Sequence, residues 1–154
     1  GNVLQQQNQL DDAIAIFQKA IEIPSNAVPP DQLARIFQQL GNTFKLQNKL
    51  EEAAKYWQQA LELQPEVVAA ETYNDLGTAL GQQGKIEDAI AYYRRAIELK
   101  PNYPLAHLNL GTLLQQQGQL EDAIAEFRQA IQLNPDSVEA YAKLGNALSQ
   151  QEKL

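Results

Sequence analysis

The chain has 154 residues, 44% of them hydrophobic and 20% charged, with a formal net charge of −7 and no cysteine. That length and apolar content fit one domain with a sizeable core. The missing cysteine excludes disulfides, thiolate metal sites and cysteine nucleophiles. The negative balance argues against nucleic acid and anionic membrane surfaces, which demand clustered Lys and Arg, and no apolar run approaches the ~18 residues of a membrane span.

Taken in order, the segments repeat. Residues 1–24 carry Gly1, a turn residue at Asn8, an acidic pair at Asp11–Asp12, then Ala13, Phe17 and Ala20, with Pro24 closing the segment. Residues 34–65 repeat this as Gly41, Asn48, Glu51–Glu52, Ala53, Trp57, Ala60 and Pro65. Residues 70–101 give Gly77, Gly84, Glu87–Asp88, Ala89, Tyr93, Ala96 and Pro101, and residues 104–135 give Gly111, Gly118, Glu121–Asp122, Ala123, Phe127, Ala130 and Pro135. Residues 138–154 begin a further copy with Gly145. Three complete units thus stand between two partial ones, and a chain that opens and closes in mid-repeat reads as an excerpt of a longer array.

Each unit reads as two helices. Tyr73, Leu76 and Leu80 recur at three- and four-residue spacing and give one apolar stripe. Glycine or asparagine in the next column closes a helix through a left-handed residue. The acidic pair then opens a second helix, where carboxylates face the positive end of the helix dipole. Proline ends it, lacking an N–H and clashing with the preceding turn. The small residues Gly77 and Ala89 set the distance at which the two helices cross, and the aromatics are expected to fill the space between successive repeats. Two insertions, Ser25–Pro30 and Val67–Ala69, lengthen the connections before the second and third units. The pair Pro29–Pro30 leads into a helix at Asp31, since proline suits a first turn.

These columns resemble the tetratricopeptide repeat, whose signature is W-x₂-L-G-x₂-Y, then Ala-x₃-Phe, then Pro. Here the first element reads Phe37-x₂-Leu40-Gly41-x₂-Phe44, Tyr73-x₂-Leu76-Gly77-x₂-Leu80, His107-x₂-Leu110-Gly111-x₂-Leu114 and Tyr141-x₂-Leu144-Gly145-x₂-Leu148. The resemblance implies an all-α fold, a right-handed α-solenoid of stacked antiparallel helix pairs forming a superhelix across the whole chain.

Chemistry is sparse. The sole histidine, His107, holds a column otherwise given to Phe37, Tyr73 and Tyr141, so packing is its expected role. The acidic pairs lack the spaced oxygen ligands of a calcium loop. Gly81-Gln82-Gln83-Gly84-Lys85 has neither the spacing nor the following Ser or Thr of a phosphate loop. These residues point to no enzyme, no metal and no cofactor.

By resemblance, the first helices line a concave groove. The candidate groove residues are Arg35, Gln38, Asn42 and Lys45, then Asn74 and Thr78, then Leu105, Leu108, Asn109 and Thr112, and finally Lys143 and Asn146. An asparagine donates and accepts together, which matches a peptide unit whatever its side chain. The four asparagines resemble the amide ladder in the repeat superhelix of O-linked N-acetylglucosamine transferases. Leu105 and Leu108 are expected to project into the groove as an apolar anchor. The implied function is a non-catalytic, cytoplasmic scaffold binding a protein or extended peptide. The alternative is a docking segment of a larger enzyme such as a glycosyltransferase. Val3, Leu4, Leu10, Leu148 and Leu154 at the partial ends further predict end-to-end self-association.

Overall fold

The computed structural model describes residues 2–154, so Gly1 lies outside the described residues. Among them the fold is all-α, with eight α-helices, one short 3₁₀ turn and no strand. They group into two compact units that divide between Val68 and Ala69, inside the second insertion.

The first unit holds α1 (Asn2–Ile21), α2 (Pro30–Leu46), α3 (Leu50–Leu63) and the 3₁₀ turn Pro65–Val67. α2 packs on α3, and α1 packs on α2. α2 begins on Pro30, with Pro29 as its N-terminal flank, so the double proline opens the helix as expected. The second unit holds α4 (Ala70–Gln82), α5 (Ile86–Leu99), α6 (Pro104–Gln116), α7 (Leu120–Leu133) and α8 (Val138–Glu152). Here α4 packs on α5, α6 on α7, and α5 and α7 each also meet the helix that follows.

The tight turns follow from one backbone device. Asn48, Gly84 and Gly118 have φ of 60°, 79° and 78°. Each left-handed residue turns the chain so that the next N–H, from Lys49, Lys85 or Gln119, bonds back to the carbonyl of Phe44, Leu80 or Leu114 at 2.9–3.0 Å. The second helices then open on Glu51–Glu52, Glu87–Asp88 and Glu121–Asp122, in the first turns of α3, α5 and α7.

The same device is absent from α1. The sequence pattern calls for a turn at Asn8 and a helix start at Asp11, yet α1 runs unbroken through both, and Asp11–Asp12 lie in mid-helix. The residues before Asn8 supply only Val3 and Leu4 as apolar side chains, both exposed. With nothing to pack, folding them back gains no burial, whereas continuing the helix keeps each backbone bond. Asp11 instead accepts a bond from Gln47 Nε2 at 2.6 Å.

The glycine column explains the hairpin packing. A Cβ on Gly41 would lie 2.5 Å from the Trp57 ring and 3.0 Å from the Ala53 carbonyl oxygen. At Gly77 the distances are 2.9 Å to Tyr93 and 3.2 Å to the Ala89 oxygen, and at Gly111 2.7 Å to Phe127 and 3.2 Å to the Ala123 oxygen. The aromatic ring therefore sits on the glycine of its own hairpin. A full-sized side chain at the glycine would meet a buried ring on one side and rigid backbone on the other.

Candidate functional site

In the first unit the four candidates lie along α2. Arg35 and Lys45 are exposed, while Gln38 and Asn42 are half-buried. Asn42 supports the core, since its Oδ1 accepts the indole N–H of the fully buried Trp57 at 3.0 Å. Without that acceptor a buried donor would go unpaired.

The second unit brings more of the candidates together. Asn74 on α4 is buried, and its Oδ1 accepts a bond from Asn109 Nδ2 on α6 at 3.1 Å. Two of the asparagines are thus cross-linked rather than presented separately. Thr78 donates to the Asn74 carbonyl at 3.1 Å, and its hydroxyl lies 3.0 Å from the Tyr93 hydroxyl, leaving the phenol as donor in that pair. Burial is the largest influence on the Tyr93 phenol and raises its pKa. Thr112 turns back along its own helix and donates to the Leu108 carbonyl at 2.8 Å. On α8, Lys143 stands 3.9 Å from Glu139, and Asn146 is exposed.

The two leucines part company. Leu105 is 50% exposed as expected, but Leu108 is only 6% exposed. The expectation that Leu108 projects freely is therefore corrected. Both residues instead border one cleft of about 350 Å³, lined also by Tyr103, Pro104, Ala130 and Asn134 and closed by Ser137 and Glu139. Leu105, Leu108, Asn109 and Thr112 fall at i, i+3, i+4 and i+7, so cleft and amide pair share one face of α6.

No sequence signal marks Tyr103, because it lies in a connection outside every repeat column. Its phenol is pushed up to about 12, by burial first and then by the negative charges of Asp75 and Glu71. It stays protonated and able to donate. The Lys100 ammonium stands 4.9 Å from the ring centre and bonds Glu71 at 2.6 Å. That bond leads the causes holding the Glu71 carboxyl below its ordinary range.

His107 is buried in its aromatic column but is not alone. Its Nδ1 lies 2.6 Å from Glu126 Oε2 and its Nε2 lies 3.1 Å from the Pro101 carbonyl. Both partners accept, so the doubly protonated ring fits best. Burial is the largest influence and disfavours that charge, yet the bond to Glu126, the bond to Pro101 and the carboxylate charge together raise the pKa above its ordinary 6.5. Sequence alone gave no carboxylate to pair with it, because Glu126 lies nineteen positions away in another helix.

Sequence models described as Tetratricopeptide repeat match residues 39–104, 74–138 and 108–154, and another so described matches residues 1–66. The chain belongs to the tetratricopeptide repeat family. Comparison with curated protein sequences returns no match. Among solved structures, YrrB, described as a tetratricopeptide repeat protein with an unusual peptide-binding site, is 26% identical with a TM-score of 0.81, over 98% of this chain and 74% of that one. MamA is 24% identical with a TM-score of 0.82, over 99% of this chain and 79% of its own. The first such domain of Spaghetti (RPAP3), solved with the HSP90 peptide SRMEEVD, is 20% identical with a TM-score of 0.70, over 79% of this chain and 95% of that one. These likenesses place the chain in the all-α solenoid class. Among the described residues no helix is long and apolar enough to cross a membrane.

Proposed function

We propose that the chain is a non-catalytic scaffold whose first-helix faces bind an extended peptide or protein segment. The observation that carries this reading is on α6, where a half-open apolar cleft at Leu105 adjoins the Asn74–Asn109 amide pair. The cleft offers a seat for one apolar side chain, and amides and hydroxyls beside it match a peptide backbone. Asn109, Thr112, Lys143 and Asn146 extend the polar part of that face in the second unit, and Arg35, Gln38 and Lys45 supply the corresponding part of α2. YrrB and the RPAP3 domain, as peptide-binding relatives of the same fold, support the same class of ligand.

The test is selection of peptides by display against the 154-residue chain, with the bound residues mapped by amide chemical shifts. Shifts confined to α4, α6 and α8 are expected. Leu105→Asp is expected to weaken selected peptides at least about tenfold, and Asn109→Ala by about 5- to 30-fold. Leu108 is a poor probe, because truncating a buried leucine would mix folding with binding. Peptides that shift only α5 and α7, and bind Leu105→Asp as they bind the native chain, would overturn the reading.

A further inference from the structure

The cleft beside Leu105 joins two chemistries. Pro104, Leu105 and Leu108 give it an apolar wall, and Ser137 and Glu139 set oxygens along its edge. Among the described residues that line it there is one carboxylate and no lysine or arginine. A peptide seated there meets hydrocarbon and negative charge together.

The surrounding face has the same sign. The acids of α4, α6 and α8 are Glu71, Asp75, Glu139 and Glu152, and their one lysine or arginine is Lys143. Lys143 leaves Glu139 open to a second cation. Their 3.9 Å separation exceeds the ~2.7–2.9 Å of a charge-assisted bond, and the Glu139 side chain is 67% exposed. The other cationic group, the His107 ring, is buried and held by Glu126. Tyr103, on the lining of the cleft, lies in the field of Asp75 and Glu71. The chain also contains an example of what this surface accepts. Lys100 places its ammonium 4.9 Å from the Tyr103 ring centre and 2.6 Å from Glu71, so ring and carboxylate already hold one cation between them.

Resting on the groove reading above, we propose that the segment bound at this cleft is basic: an apolar side chain seats against Leu105 and Leu108, and a lysine or arginine beside it pairs with Glu139. Asp75 and Glu71 continue the preference on α4. The same charges repel a segment rich in Asp and Glu, so selection works by rejection as well as by attraction. The net charge of −7 draws basic partners in from a distance, most strongly at low salt.

A random-peptide display library, panned against the native chain and against Leu105→Ser, tests it. Leu105→Ser removes an exposed part of the apolar wall without adding charge. Peptides that hold the native chain at least ~5-fold more tightly than Leu105→Ser are the cleft ligands. They are expected to carry lysine or arginine within about two positions of an apolar residue, and to weaken ~5- to 20-fold on Glu139→Lys and less on Glu139→Gln. Changing the peptide's own basic residue to glutamate should weaken binding to the native chain and restore it to Glu139→Lys. The substituted positions are exposed, so far-ultraviolet circular dichroism should be unchanged in all three variants. Cleft ligands that are neutral or acidic, or that ignore Glu139→Lys, would overturn the basic preference and leave the groove reading standing. A library that yields no ligand sensitive to Leu105→Ser would overturn both.

Discussion

Gly41 and Gly145 hold the same column and yet differ in what surrounds them, which makes them a paired test of packing against propensity. Gly41→Ala drives a Cβ into the buried Trp57 ring and the Ala53 carbonyl, and should cost about 1–3 kcal/mol as overpacking does. Gly145→Ala meets open space in a helix and should gain about 0.5–1 kcal/mol from propensity. Urea denaturation of the two variants checks the opposite signs. His107 gives a pH signature. Its folded pKa is raised above 6.5, so its contribution is complete below pH 6.5 and declines as pH rises through the folded value. Denaturation midpoints of the native chain should fall across that window, and Glu126→Gln should flatten the decline by removing the carboxylate that favours the charged ring.

Among the elements, the three left-handed turns are where backbone chemistry decides structure. Gly118→Val should lose about 1–2 kcal/mol, because a β-branched residue at φ 78° is strained whatever the space around it. Asn48→Gly should be neutral or stabilising by a few tenths of a kcal/mol, and thermal melting of both variants reads the contrast. The hairpins were legible in the sequence because each is written locally: apolar stripe, left-handed residue, acidic pair, proline. The continuous α1 was not, because Asn8 has the same identity as a turn residue and only the lack of a packing partner decides against a turn. Leu108 misleads for a similar reason. Spacing puts it on the face of Leu105, but the neighbouring side chains that cover it come from segments distant in sequence.

For the molecule as a whole, stability should be graded along the chain, as nearest-neighbour packing requires. α1 buries only Ile14, and α8 only Ala140 and Ala147, whereas α4 and α6 bury seven or more residues each. Hydrogen exchange should therefore be fastest in α1 and α8 and slowest in α4–α7, and uniform protection would contradict a graded array. Asn42 serves the Trp57 indole, Thr78 the Tyr93 phenol, and Thr112 serves its own helix. Hairpins so alike in outline are prone to shuffle partners while a repeat chain folds. Pairing α2 with α7 would strand the Asn42 carbonyl oxygen against hydrocarbon, since the Phe127 ring carries no donor. The polar atoms beside Gly41 and Gly77 thus work as keys, each matched to the polar tip of its own ring, in an otherwise repetitive fold.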